Sequence, residues 1–231
     1  MHHIWDFFQW LSTANLKSPL PFVLSVKSSM ATVPEAHPVK RPAGRPRSEM
    51  ARKAILDATA RLLEKVTLRN LAIENIAREA GVGKATIYRW WPNKAAIVID
   101  AFFQEVEQRT AFERGPTAAE AIRHQVVRMI HAIAGPLGRV AAQIIAEGQS
   151  NPDVLEHFRA VFLRGRRAAA TEIFRQGIAD GEFHPDLDIE LAIDLIYGPI
   201  WYRLMVGHQP LDQGLAERLP KLSISALLRA P

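Results

Sequence analysis

Lys84, Thr86, Tyr88 and Arg89 fall within six residues and carry an ammonium, a hydroxyl, a phenol and a guanidinium, all of them hydrogen-bond donors. At helical spacing they occupy the positions left outward when the apolar Ile87 and Trp90 turn inward. Donors presented this way suit a nucleic acid, whose phosphate oxygens and base edges accept hydrogen bonds. No comparable set of groups for covalent chemistry occurs. Cysteine is absent, which removes thiol catalysis, disulfides and cysteine–zinc sites and fits a reducing cytoplasm. His124 and His131 are seven residues apart with no Glu-x-x-His pattern beside them, so each reads as an ordinary surface or core histidine. Asp180, Glu182, Asp186, Asp188 and Glu190 crowd around one turn but miss the calcium-loop spacing, and are expected to cap and start the helix that follows. No catalytic residue, metal ligand or cofactor is assigned.

The charge is placed unevenly. From Lys40 to Trp91 there are 12 Lys and Arg against 5 Asp and Glu, a net of +7; from Pro92 onward the balance is 15 against 17. A segment of that charge can neutralise phosphates, and the rest of the chain need not. Its leading part, KRPAGRPR, spaces Lys40, Arg41, Arg45 and Arg47 with prolines and a glycine. Read as an extended strand, it would bring Arg45 and Arg47 to the narrow minor groove beside a bound site. Read more plainly, it is a flexible polycation.

The elements that must position these groups are helices. Ser48 is expected to cap a helix in which Ile55, Thr59, Leu62, Leu63 and Val66 share a face. Segments 73–80, 84–90 and 93–109 follow, then 117–134, 137–148, 152–179, 188–206 and 212–228. The breaks between the later segments fall at Gly-Pro, Asn-Pro, Asp-Gly and Gln-Pro steps. No alternating strand pattern, internal repeat or membrane-length apolar run is present, so the expected class is all-α. The organisation expected is a leader and basic arm at 1–47, a small basic helical domain at 48–105 and a larger helical domain at 106–231. Residues 1–29 lack the features of a secretory signal and are expected to be disordered, with Met30 as the native start; Ile4, Phe7, Phe8 and Leu11 could alternatively form one apolar helix face.

Residues 73–92, IENIAREAGVGKATIYRWWP, have the spacing of two short helices packed at a steep angle. Ala77 sits at their closest crossing, and Gly81 supplies the left-handed backbone that ends the first helix. Ile76, Ala80, Val82, Ile87 and Trp90 pack the pair onto helix 50–66. The second helix is then the one a major groove would accept. These residues, with AILDATARLL and the GRPR arm before them, resemble the TetR family of transcriptional regulators; the run AGV-x-K-x-T-x-Y-x-x-W-x-x-K is specific to it. The resemblance implies a recognition helix with Lys84, Ala85 and Thr86 near bases. It implies Thr86, Tyr88 and Lys94 at phosphates, and Trp90 as a core aromatic; Tyr88 has a second reading as a core residue. Three positions depart from the family pattern. Ala72 stands where a capping hydroxyl is usual. Gly83 replaces a common serine, losing a capping oxygen while leaving backbone N–H groups open to phosphate. Thr67 and Leu68 replace a glycine and an aromatic after the first helix.

The resemblance further implies an unidentified small-molecule effector enclosed by the C-terminal helices, whose binding releases double-stranded DNA. From the sequence, Met129, Ile133, Phe158, Phe162, Tyr197 and Trp201 are candidate walls for it, each also readable as core, and Ile196 belongs with them. Arg159, Arg164, Arg166 and Arg167 read as a solvated face. Residues 188–228, with Ala192, Leu195, Ile196, Pro199, Ile200, Leu204, Leu215, Leu219, Leu222, Ile224, Leu227 and Leu228, offer apolar surface for a homodimer, which would set two recognition helices against a palindromic operator. The function expected is a ligand-released repressor, with an activator or an effector-independent regulator as the alternative and a helical enzyme or binding protein with a basic appendage as the remote one. Shortening the chain to begin at Ser48 should weaken operator binding and flatten its dependence on salt, as measured by fluorescence anisotropy; an unchanged affinity and slope would remove the arm from the interface.

Overall fold

Glycine and proline cut the chain into helices close to where the sequence places the breaks. The computed structural model describes residues 45–113 and 115–229. Ten α-helices run along them: α1 Arg45–Lys65, α2 Ile73–Ala80, α3 Lys84–Tyr88, α4 Lys94–Thr110, α5 Ala118–Ile133, α6 Pro136–Ser150, α7 Pro152–Phe158, α8 Arg164–Ala179, α9 Ile189–Val206 and α10 Gln213–Ser225. A π-helical turn, Arg159–Leu163, joins α7 to α8 without a break. Phe183 and Leu228 form one isolated antiparallel bridge, and no strand occurs among the described residues. The class is all-α, as the sequence leads one to expect.

Side chains cap four of these helices by accepting from the exposed N–H groups of the first turn. Asn93 accepts from Ala96 on α4, Thr117 from Glu120 on α5, Asp188 from Leu191 on α9 and Asp212 from Leu215 on α10. The acidic cluster at 180–190 divides its work. Asp188 caps α9 as expected, but Glu182 reaches across the fold to accept from the N–H groups of Ala118 and Ala119 at 2.9 and 3.0 Å. It therefore serves the start of α5, a partner sixty residues away that no local pattern announces.

The beginning of α1 corrects the sequence reading. Arg45, Pro46 and Arg47 form its first turn, where an extended strand was expected, and Ser48 lies inside the helix. Proline is at home there because first-turn N–H groups have no intrahelical acceptor to lose. Lys40, Arg41, Gly44 and the leader lie outside the described residues.

The helix α4 is enclosed by its neighbours. It packs against α1 on one side and against α5, α6, α7 and the π turn on the other. Four consecutive residues, Ala96, Ile97, Val98 and Ile99, are buried, and Ala101, Phe102 and Val106 continue the core. The core so formed runs from Ile55 and Ile76 in the N-terminal helices to Phe158, Phe162 and Ile200 in the C-terminal ones. In the last two helices, most of the apolar side chains that the sequence offers to a partner are used within the subunit: Ala192, Ile196, Ile200, Leu215, Leu219, Ile224 and Leu227 are buried. The exposed apolar face is drawn instead by Leu191, Leu195, Tyr202, Met205 and Val206 of α9, with Leu222 of α10.

Gly81 ends α2 with φ +67° and has nothing within 4 Å of the place a β-carbon would take. Only backbone strain therefore opposes a side chain, a cost of about 1–2 kcal/mol in the left-handed region. Gly81→Ala should lower unfolding stability by about that amount in urea titration, and Gly81→Asn by less.

Candidate nucleic-acid interface and ligand cavity

The turn between α2 and α3 closes on backbone bonds alone. Gly81 N–H donates to Arg78 O at 3.3 Å and Val82 N–H to Ala77 O at 3.0 Å. Ala72 and Gly83 stand at the N-caps of α2 and α3 with extended backbone and no side-chain cap. The α-helical part of the second helix is one residue longer than a turn, and the N–H groups of Trp90 and Trp91 both return to Ile87 O to close it. Ile87 is buried against the N-terminal core, which turns Gly83, Lys84, Ala85, Tyr88 and Arg89 outward and leaves Thr86 half-buried at the edge. Tyr88 is 53% exposed, so its phenol points away from the core.

Two of the expected contact residues already have partners. Lys84 Nζ donates to Glu74 Oε1 of α2 at 2.9 Å across an exposed gap. That hydrogen bond and the charge behind it hold the Glu74 carboxyl below the usual carboxylate range and raise the Lys84 ammonium above its ordinary value. Lys94 Nζ donates to the carbonyl of Arg69 at 3.0 Å, so it braces the 67–71 turn between α1 and α2. That turn is further fixed by Leu68, buried, whose N–H donates to Gln143 Oε1 of α6 at 2.7 Å. The replacement of glycine and aromatic by Thr67 and Leu68 thus places a bond between the two halves of the chain.

The aromatic that anchors the recognition helix is Trp91 and not Trp90. Trp91 is 3% exposed, and its indole N–H donates to Asp100 Oδ2 of α4 at 2.8 Å. Trp90 is half-buried against it, with ring centroids 6.3 Å apart. Asp100 also receives Arg52 of α1 at 3.3 Å, and His157 Nε2 lies 3.4 Å from its other oxygen. One carboxylate therefore ties together the segment after the recognition helix, α1 and α4, with His157 of α7 beside it.

In the C-terminal half a cavity of about 440 Å³ opens between α5, the α7–α8 run and α9. Of the candidate wall residues, Met129, Phe158, Phe162, Tyr197 and Trp201 line it, and Ile133 is buried in the core instead. The aromatic wall is close-packed: Phe158 and Phe162 stack at 5.1 Å, and Trp201 meets both edge-on at 6.4 and 6.0 Å. Its polar members were missed. Arg166 has a side chain only 10% exposed, where a solvated face was expected. Its Nη1 donates to Glu107 at 3.1 Å and its Nη2 to the carbonyl of Thr110 at 3.0 Å, while its guanidinium carbon lies 5.6 Å from the Phe162 ring centre and 5.9 Å from that of Phe112. Burial lowers the guanidinium from its ordinary value, opposed by the charge of Glu107. Gln125, fully enclosed, donates to the same Thr110 carbonyl at 3.4 Å and accepts from the Tyr197 hydroxyl, whose ionisation burial pushes up. The signal that could have found Arg166 is its place in the series Phe158, Phe162, Arg166, Ala170, four residues apart and all on the cavity wall. In a regular α-helix such a series drifts by about 40° at each step. The π turn at 159–163 takes an extra residue into one turn and so takes back part of that drift.

Residues 55–101 match the model of bacterial regulatory proteins of the tetR family, and residues 115–222 match a tetracyclin repressor-like C-terminal domain. The uncharacterized HTH-type transcriptional regulator YdeS of Bacillus subtilis (strain 168) is 37% identical over 163 residues, 71% of this chain and 82% of that protein. The chain belongs to the TetR family of bacterial transcriptional regulators. Among solved structures, the TetR family transcription regulator SCO0332 superposes with a TM-score of 0.69 at 28% identity, over 78% of this chain and 99% of that one. The regulator FadR from Bacillus subtilis in complex with stearoyl-CoA does so with a TM-score of 0.61, over 76% of this chain and 98% of that one. At 24% identity that second likeness establishes a shared fold. This TetR-family chain is accordingly a DNA-binding regulator of transcription with a helix-turn-helix at α2–α3.

Asp100 is the joint on which the reading head rests. Asp100→Ala should lower unfolding stability by about 1–3 kcal/mol, since it strands a buried indole N–H, and Asp100→Asn should recover most of the loss by keeping an acceptor. Urea titration of the two variants checks the order.

Proposed function

We propose that the chain is a homodimeric repressor that leaves a palindromic operator when a small, largely apolar molecule fills the cavity between α5, α8 and α9. The observation that carries this reading is the course of α4. It starts three residues after the tryptophan that anchors the recognition helix, and its last carbonyl is bonded by Arg166 and Gln125 of the cavity wall. A molecule that rearranges the wall acts directly on the helix that aims the DNA-binding head.

In this reading Lys84, Ala85 and Thr86 face base edges, while Tyr88, Arg89 and the backbone N–H groups after Gly83 meet phosphates. Arg45 and Arg47, at the start of α1, and Lys94 add positive charge at the flanks, Lys94 from its seat over the Arg69 carbonyl. The dimer forms through the stripe Leu191, Leu195, Tyr202 and Val206 together with Leu222 of α10, within 188–228, an apolar surface of a kind that subunits rarely leave to water. Two-fold pairing sets the recognition helices about 34–36 Å apart or a multiple of it. Among the described residues no single helix is long and apolar enough to cross a membrane, which accords with action in the cytoplasm.

Footprinting on the DNA upstream of the chain's own gene should reveal a palindromic protected site, and sedimentation at micromolar concentration a dimer. Leu195→Glu should give monomers and lose the footprint. A wild-type protein that sediments only as a monomer, or that protects no palindrome, would overturn the reading, and loss of reporter expression on deleting the gene would assign it as an activator.

A further inference from the structure

The polar corner of the cavity is built in a way that an apolar ligand alone does not explain. Ten or so apolar side chains would suffice to hold a hydrocarbon, yet Arg166, Gln125 and Tyr197 share the wall with them. Arg167 and Asp194 line it too, but Arg167 is already paired with two carboxylates, those of Asp194 and Glu190. Keeping a guanidinium between Phe112 and Phe162 costs desolvation, and such a charge persists only where it is paired. Its pairing here is partial. Of five N–H donors, the bonds to Glu107 and Thr110 use one on each terminal nitrogen. Glu107 itself is 47% exposed, so water competes for it throughout. The other acceptor, the Thr110 carbonyl, also receives Gln125, so it keeps a partner if Arg166 turns away.

We infer that Arg166 is the headgroup receptor of the cavity, and that the ligand class is an apolar or aromatic body carrying one carboxylate, which takes the guanidinium over from Glu107 and Thr110. The inference rests on the cavity being the effector site. A carboxylate inside the cavity offers both oxygens to the planar fork of the guanidinium, a geometry that a half-exposed glutamate and one carbonyl do not supply. The hydrocarbon body then lies along Phe158, Phe162 and Trp201. Tyr197 and Gln125, already bonded to each other, keep the corner closed to water on the other side. When Arg166 swings to the ligand, the last turn of α4 loses its tie to α8 and retains only Gln125 and, one residue on, Arg128, which donates to the Ala111 carbonyl at 2.6 Å. Binding of the charged group is thereby coupled to the end of α4, whereas a neutral ligand of the same shape leaves the tie in place.

The test uses the full chain in isothermal titration calorimetry with phenyloctanoate and the matched alcohol, phenyloctanol. The carboxylate should bind at least about tenfold more tightly than the alcohol, a preference worth about 1.4 kcal/mol. Arg166→Gln should bring the two affinities to within about twofold of each other, and Arg166→Lys should keep part of the preference. Glu107→Gln, which keeps an amide oxygen within reach of Arg166, removes the competing charge and should tighten the carboxylate several-fold relative to the alcohol. Amide exchange in residues 107–111 should rise with phenyloctanoate and not with phenyloctanol. Equal binding of the two probes, or a preference that survives Arg166→Gln, would overturn the inference and leave the cavity as the effector site. Failure of both probes to bind, or binding that is indifferent to Trp201→Ala, would overturn the cavity reading and this inference with it.

Discussion

Everything in this fold that bears on function is suspended from the burial of α4. A helix with one apolar stripe can slide on its support, but Ala96 to Ile99 are buried in succession, which means the helix is wrapped on all sides there. Such a segment cannot move without repacking α1 in front of it or α5, α6 and α7 behind it. The recognition helix inherits that rigidity through short links: Asn93 fixes the start of α4, and the Trp91–Asp100 bond fixes the segment after α3 to its second turn. At the far end the packing thins. Thr110 and Ala111 are held by long side chains from the cavity wall and α5. The helix is held by packing where it meets the DNA-binding head and by side-chain hydrogen bonds where it meets the cavity.

How much of this was legible in the sequence follows from which partners are local. The helix-turn-helix was readable because its constraints act within twenty residues: Gly81 must take the left-handed backbone, Ala77 must be small, and Ile76 and Ile87 must face one another. The helix breaks were readable for the same reason. The choice of Trp91 over Trp90 was open to reading, since the aromatic of the run AGV-x-K-x-T-x-Y-x-x-W-x-x-K falls on Trp91, but the core role was assigned one residue early; what anchors Trp91 is Asp100, on another helix. Arg166 was misread because four arginines in nine residues look like a wet surface. What buries one of them is the end of α4, some sixty residues earlier. Glu182 and the start of α5 repeat the lesson. The arm failed for a different reason: Gly44-Arg45-Pro46-Arg47 suggests an extended chain, but proline in a first turn is compatible with helix, so the rule that proline breaks helices did not apply.

The cavity shows how a small irregularity serves a larger arrangement. The aromatic pair Phe158–Phe162 and the cation Arg166 must face the same space, although they lie on successive turns whose α-helical register would rotate them apart. A π turn between α7 and α8 supplies the correction inside an unbroken helix. No glycine or proline marks its position, because it is stabilised by what it points at and not by its own residues.

The ion pair between Glu74 and Lys84 has a consequence for how the head distinguishes one stretch of DNA from another. A free lysine on a recognition helix is drawn to any phosphate, since displacing condensed cations from the duplex is favourable wherever it happens. Lys84 instead arrives with its own anion supplied by the neighbouring helix, so moving it onto DNA exchanges one partner for another and displaces correspondingly fewer ions from the duplex. The exchange favours only those positions that offer Lys84 something better than Glu74 does, such as paired acceptors on a guanine edge. In the proposed complex an exposed pair of this kind, a weak interaction in water, would make random DNA correspondingly less attractive.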